Sequence, residues 1–108
     1  MKQILAMSIL HCFSLVMNKS FTNYAIISVQ DGCDNLGISF KRSKRCKAVL
    51  ELEFDDIDSD TEKGILFTNK NAEKIIRFVQ KYEDIDTLII QCNNGLSRSA
   101  AIKNALDE

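Results

Sequence analysis

The sequence predicts an α/β domain with a small, mostly parallel central sheet flanked by helices. Three observations lead there. Short β-branched runs recur along the 108 residues. A clear amphipathic helix lies between two of them. The last run leads through a short polar loop into another helix. A strand, a helix and a strand in succession form a βαβ unit, whose strands run parallel. The length suits one small domain, residues 1–108, with a core of its own.

Gln3 to Ser8 reads as a short first strand. From Ile9 to Lys19, apolar residues at Ile9, Cys12, Phe13, Val16 and Met17 recur at spacings of three and four, which gives one helical face. His11 sits beside that face and reads as a boundary histidine. Tyr24 to Val29 is a short, β-branched, buried strand. Gln30 to Gly37 has the chemistry of turns: Asp31-Gly32, Asp34-Asn35 and Gly37. Ala48 to Phe54 is the next strand, ending in the acidic loop Asp55-Asp56-Ile57-Asp58-Ser59-Asp60.

Asn69 to Tyr82 carries the clearest helical stripe, at Ala72, Ile75, Ile76, Val79 and Tyr82, with Thr68 or Asn69 able to cap it. Thr87 to Gln91 is the following strand. After the loop, Ser99 opens a helix that runs to the end. The unit Ala48–Phe54, Asn69–Tyr82, Thr87–Gln91 predicts neighbouring parallel strands whose C-terminal ends share one sheet edge. Asp55 and Asp56 follow one of those ends, and Cys92 follows the other. Open α/β sheets bind ligands at that edge.

Composition narrows the function classes. Hydrophobic residues make up 45% and charged residues 27%, as in ordinary soluble globular domains. A net charge of −1 argues against a dedicated nucleic-acid binder, which carries a clear basic excess. Cys12, Cys33, Cys46 and Cys92 form no C-x-x-C pair, and His11 is the one histidine, so a zinc site is not expected. Scattered thiols in a chain able to build a core suit a reducing, cytoplasmic setting.

Lys2 and the run Ile4 to Met17 have the outline of a secretory signal, but Ser8, His11 and Ser14 interrupt it and Met17-Asn18-Lys19-Ser20 is a poor cleavage site. The run is also too short and too polar to span a membrane. The basic run Lys41, Arg42, Lys44, Arg45, Lys47 could be a nucleic-acid or nuclear-import patch. Because it ends where a strand begins, it falls at the sheet edge opposite Cys92 and reads better as a solvated face.

The chemistry concentrates in Cys92-Asn93-Asn94-Gly95-Leu96-Ser97-Arg98-Ser99. A strand–loop–helix junction aims backbone N–H groups and a positive helix end at one small volume. Cys92 puts a nucleophile at its entrance and Arg98 a cation at its exit. The helix end and Arg98 both favour a thiolate. Gly95 permits a tight loop with inward N–H groups, and the Arg98 guanidinium matches two phosphate oxygens.

This Cys-x-x-Gly-x-x-Arg-Ser pattern resembles the signature of the Cys-dependent protein tyrosine phosphatases. Ser97-Arg98-Ser99-Ala100-Ala101, Phe54-Asp55-Asp56 upstream and the helix over Asn71 to Val79 make the chain similar to the dual-specificity and prokaryotic tyrosine-phosphatase-like branch from about Tyr24 onward. The resemblance implies a phosphatase-like fold and a phosphate cradle from Asn93, Asn94, Gly95, Leu96, Ser97 and Arg98. It implies attack by Cys92 to form a phosphocysteine, and help from Ser99 as the sulfur leaves. An Asp acts as general acid and then base; Asp56 fits the layout first, Asp55 second and Asp58 third. An acidic turn of this kind also serves simply as solvated surface. The implied substrate is a phosphorylated protein or small phosphoester, with no metal or cofactor and no nucleic-acid or membrane partner.

Two departures from the pattern bear on rate. Gln91 stands where the family usually has a His that orients the loop and helps hold the thiol ionised. Ten residues follow Arg98, so the final helix would be about 15 Å long. Family members continue with helices that cover one sheet face, and their absence is expected to expose apolar surface and favour self-association. A catalytically weak phosphate-binding module is therefore the alternative to an active hydrolase. A rhodanese-type sulfurtransferase also uses a Cys loop at a helix start, but the Arg-Ser ending and the acidic loop fit it less well.

Overall fold

The computed structural model describes residues 3–30, 40–53, 69–92 and 97–107. In chain order the elements are β1 (Gln3–Ser8), α1 (Ile9–Met17), β2 (Tyr24–Gln30), β3 (Cys46–Glu53), α2 (Asn69–Lys81), β4 (Thr87–Cys92) and α3 (Ser97–Asp107). The four strands form one sheet in the order β1-β4-β2-β3. Every pairing in it is parallel. The sheet is thus wholly parallel among the described strands, beyond the mostly parallel sheet expected.

Side-chain alternation divides the core into two layers. On one face Ala25, Ile27, Val29, Leu88, Ile90 and Cys92 pack with Ile75 of α2 and Ile102 of α3. On the other, Ile26, Ile89, Met7 and Tyr24 pack with Ile9 and Cys12 of α1. The central strands β2 and β4 are buried along their whole length. Strands covered on both faces read as near-continuous apolar runs, and these two do apart from buried Ser28, Gln30, Thr87 and Gln91.

One expectation fails at this level. The strands of the βαβ unit are parallel, but β3 and β4 are not neighbours, because β2 lies between them. A helical connection is long enough to step over a strand, and sequence order does not say whether it does.

Helix α1 ends two residues earlier than its apolar pattern suggests. Ser8 caps its start, its side chain accepting from the His11 N–H at 3.3 Å. At its end, Lys19 N–H donates to Val16 O and Ser20 N–H to Leu15 O, both at 3.1 Å. That bond pair closes a helix through a residue in the left-handed region, and Lys19 has φ 54°. The expected stripe is partly wrong as well: Ile9 and Cys12 are buried and Val16 packs against them, but Phe13 and Met17 face outward. In α2, Ile75 is buried while Ile76 is exposed, and Phe78 takes its place against the core beside Val79 and Tyr82.

The apolar side chains that reach the surface lie on helices and not on the sheet face where exposed apolar surface was expected. Among the described residues, the large exposed apolar side chains are Leu10, Phe13 and Met17 on α1 and Ile76 on α2. No described helix is long and apolar enough to cross a membrane.

Candidate functional site

The site is built at the C-terminal edge of the sheet. Cys92 is the last residue of β4, one position further into the strand than expected, and α3 begins at Ser97, two residues earlier. The connection between them is therefore four residues, 93–96. A connection this short forces the first turn of α3 back over the strand end that carries the thiol.

That turn supplies Arg98 and Ser99. Ser99 is fully buried and Arg98 is 5% exposed. The Cys92 Sγ lies 3.5 Å from the Ser99 Oγ, the neutral thiol donating to the hydroxyl. An ionised sulfur can only accept, so the same contact reverses and the hydroxyl donates. A guanidinium buried as deeply as that of Arg98 attracts anions more strongly than an exposed one, because less water screens it. Cys92 itself is fully buried, on the α2/α3 face of the sheet.

Register locates the rest of the edge. Cys92 pairs with Ser8 on one side and with Val29 on the other. Val29 in turn pairs with Leu52. Ser8, Cys92, Val29 and Leu52 thus form one row across the sheet, and β3 ends one residue further on, at Glu53. The end of β3 at Glu53 is thus at the same sheet edge as the thiol but two strand spacings from it, about 10 Å. The three candidate acids Asp55, Asp56 and Asp58, and the loop residues Asn93, Asn94, Gly95 and Leu96, lie outside the described residues, as does the side chain of Ser97.

Gln91 occupies the opposite face of β4 from Cys92. It is fully buried, and its Nε2 donates to the Ser28 Oγ across the β2–β4 pair. Gln30 Nε2 donates to the same oxygen at 2.9 Å. Sequence reasoning had no role for Ser28 or Gln30, placing the first inside a buried strand and the second at the start of a turn. The available signal was a polar residue inside the apolar run Tyr24–Val29, with Gln91 equally out of place at the end of Thr87–Gln91.

The other described thiols stand apart. Cys12 and Cys46 are buried on the α1 face. Burial pushes the Cys12 thiol up to about 12, with a further contribution from neighbouring Cys46. Burial likewise raises Cys46. Cys33 lies outside the described residues. The basic residues Lys41 to Lys47 adjoin the start of β3, at the edge remote from Cys92, and Arg45 Nη1 donates there to Lys19 O at 3.4 Å. Among the described residues no group of three His, Cys, Asp or Glu could hold a metal ion. No family model matches this chain, and neither a curated protein nor a solved structure matches it.

Proposed function

We propose that this chain hydrolyses phosphoric monoesters through Cys92, in the manner of the tyrosine and dual-specificity phosphatases, with phosphorylated proteins or small phosphoesters as substrates. The observation that carries the reading is the closure of a four-residue connection between a strand ending in Cys92 and a helix whose first turn holds Arg98 and Ser99, with Sγ and Oγ 3.5 Å apart.

In the first step the Cys92 thiolate attacks phosphorus. The S–P bond forms, the ester P–O bond breaks, and the leaving oxygen takes a proton from an aspartic acid. In the second step that carboxylate takes a proton from water as the water attacks. The S–P bond breaks, inorganic phosphate leaves and the thiolate returns. Arg98 and the backbone N–H groups at the start of α3 bind the phosphoryl oxygens. Ser99 donates to the departing sulfur. Asp56 remains the preferred acid. It lies three residues beyond Glu53, and three extended residues span about 10 Å, the distance across β2 to the thiol. Cys12 and Cys46 are free thiols among the described residues, which suits a reducing, cytoplasmic setting.

The test is hydrolysis of p-nitrophenyl phosphate. Turnover is expected in the purified chain and should fall to background in Cys92→Ser. A second reading, a phosphate-binding module with little turnover, is favoured by one specific feature: the residue before the thiol is an uncharged amide committed to Ser28. Vanadate binding without Cys92-dependent hydrolysis would select that reading, and thiosulfate-to-cyanide sulfur transfer would replace both.

A further inference from the structure

Three polar side chains are buried side by side on the α1 face of the two central strands. Ser28 and Gln91 are register partners on β2 and β4. Ser28 and Gln91 have no exposed surface, and Gln30 is 7% exposed. One oxygen, Ser28 Oγ, joins both amides. Their strand neighbours are Ile26, Ile27, Val29, Ile89 and Ile90, all fully buried.

Stability alone does not explain this cluster. Burying an amide costs free energy unless its hydrogen bonds are replaced, and an apolar set of the same shape is often as stable or more so. Among the described residues the Gln91 Oε1 has no hydrogen-bond partner, so the replacement is incomplete. What such a cluster provides is a directional, cross-strand tie at one place. The place is the residue before Cys92. Side chains alternate along a strand, so a tie that fixes Gln91 on one face also fixes the roll of the strand end and the direction of the thiol on the other. Strand-end roll matters here because Sγ must stay in reach of Ser99 and of phosphorus together.

We infer that Ser28 is a positioning residue for the nucleophile: its hydroxyl clamps the Gln91 amide, with Gln30 as backing, and so aims the Cys92 Sγ. The inference rests on the hydrolase reading for its effect on rate, but the aiming of Sγ has a readout of its own. Ser99 from α3 contacts the thiol, and Ser8 of β1 and Val29 of β2 stand beside it in register. A substitution at Ser28 alters none of these, nor the buried Arg98 that precedes Ser99.

The experiment compares wild type with Ser28→Ala, Ser28→Thr and the double variant Ser28→Ala with Gln91→Leu. Each is measured for kcat and KM on p-nitrophenyl phosphate, for the rate of Cys92 modification by iodoacetate read by mass spectrometry, and for its thermal midpoint. Misplacing a reacting group by about 1 Å costs on the order of 10²-fold in rate. Ser28→Ala is therefore expected to lower kcat about ten- to a hundredfold with KM within about twofold, and to change the Cys92 modification rate. Ser28→Thr keeps the hydroxyl and is expected to recover most of the rate. The double variant removes the Ser28 hydroxyl and the Gln91 amide together, so it should regain the part of the thermal midpoint lost by stranding Gln91, while kcat stays low. Recovery of kcat along with the midpoint in the double variant would reduce Ser28 to a packing role and overturn the proposal. So would unchanged kcat and Cys92 modification in Ser28→Ala. A wild-type chain without turnover whose Cys92 modification still depends on Ser28 would sink the hydrolase reading and leave the clamp standing.

Discussion

At the scale of single residues, the contact that bears most on mechanism is the 3.5 Å approach of Ser99 Oγ to Cys92 Sγ. A hydroxyl there does little for attack on phosphorus, where sulfur gives up charge. It helps when the S–P bond breaks and charge returns to sulfur. Hydrogen bonds to charged groups contribute about 1.5–3 kcal/mol, or roughly ten- to a hundredfold in the step concerned. Ser99→Ala is expected to slow breakdown of the phosphocysteine by about that factor and to spare its formation. Rapid-mixing kinetics with p-nitrophenyl phosphate should then show a burst of nitrophenolate, one equivalent per Cys92, before a slow steady state. A uniform loss in both phases would assign Ser99 to binding instead. The meeting of Cys92 with Ser99 was legible in the sequence, because a strand, a short connection and a helix start leave little choice of where the two meet. Ser28 was not, since its partner lies 63 positions away and only the sheet register brings them together.

At the scale of elements, the helices show how far periodicity reaches. In α2 the repeat correctly marks Ile75, Val79 and Tyr82, and it adds Ile76, which is in fact exposed, while passing over Phe78. Phe78 and Tyr82 pack in a tilted arrangement with ring centroids 5.0 Å apart. One step along a helix turns about 100°, so a wide apolar arc always includes positions that a single sheet face cannot reach. Ile75→Ala should cost about 2–5 kcal/mol, as large-to-small changes in cores do. Ile76→Lys should stay within about 0.5 kcal/mol of wild type, as exposed substitutions do. Urea unfolding of the two variants checks this. Equal losses would mean that Ile76 is covered in solution, as self-association would do. Helix α1 goes further: it is apolar on nearly every side, and only its packing over Met7, Ile26 and Ile89 decides that Ile9 and Cys12 turn inward.

At the scale of the whole molecule, the two core layers differ in chemistry. The layer under α1 holds Cys12, Cys46 and Tyr24 close enough to influence one another. Burial holds the Cys12 thiol up to about 12 against an ordinary 9.0, and also raises Tyr24 and Cys46. A group whose folded value is raised stays protonated when folded and ionises when unfolded. Stability from Cys12 is therefore complete below about pH 9 and lost progressively between pH 9 and about 12, at up to about 1.4 kcal/mol per pH unit. Tyr24 and Cys46 act in the same direction. Urea midpoints are expected to be level near neutrality in this respect and to fall steadily above pH 9. A midpoint unchanged up to pH 11 would mean that water reaches this layer.

Local pattern by itself determined the strands, the helices, the parallel direction of the sheet and the meeting of Cys92 with Ser99. Those depend on side chains within a few residues of one another and on connections too short to allow alternatives. Only the tertiary structure decided that β2 separates β3 from β4, so that β3 ends two strands from the thiol. It also decided that Gln91 is tied to Ser28. Strand order is chosen by which apolar faces cover one another best over the whole sheet. That is a sum over distant residues, and no stretch of sequence carries it alone.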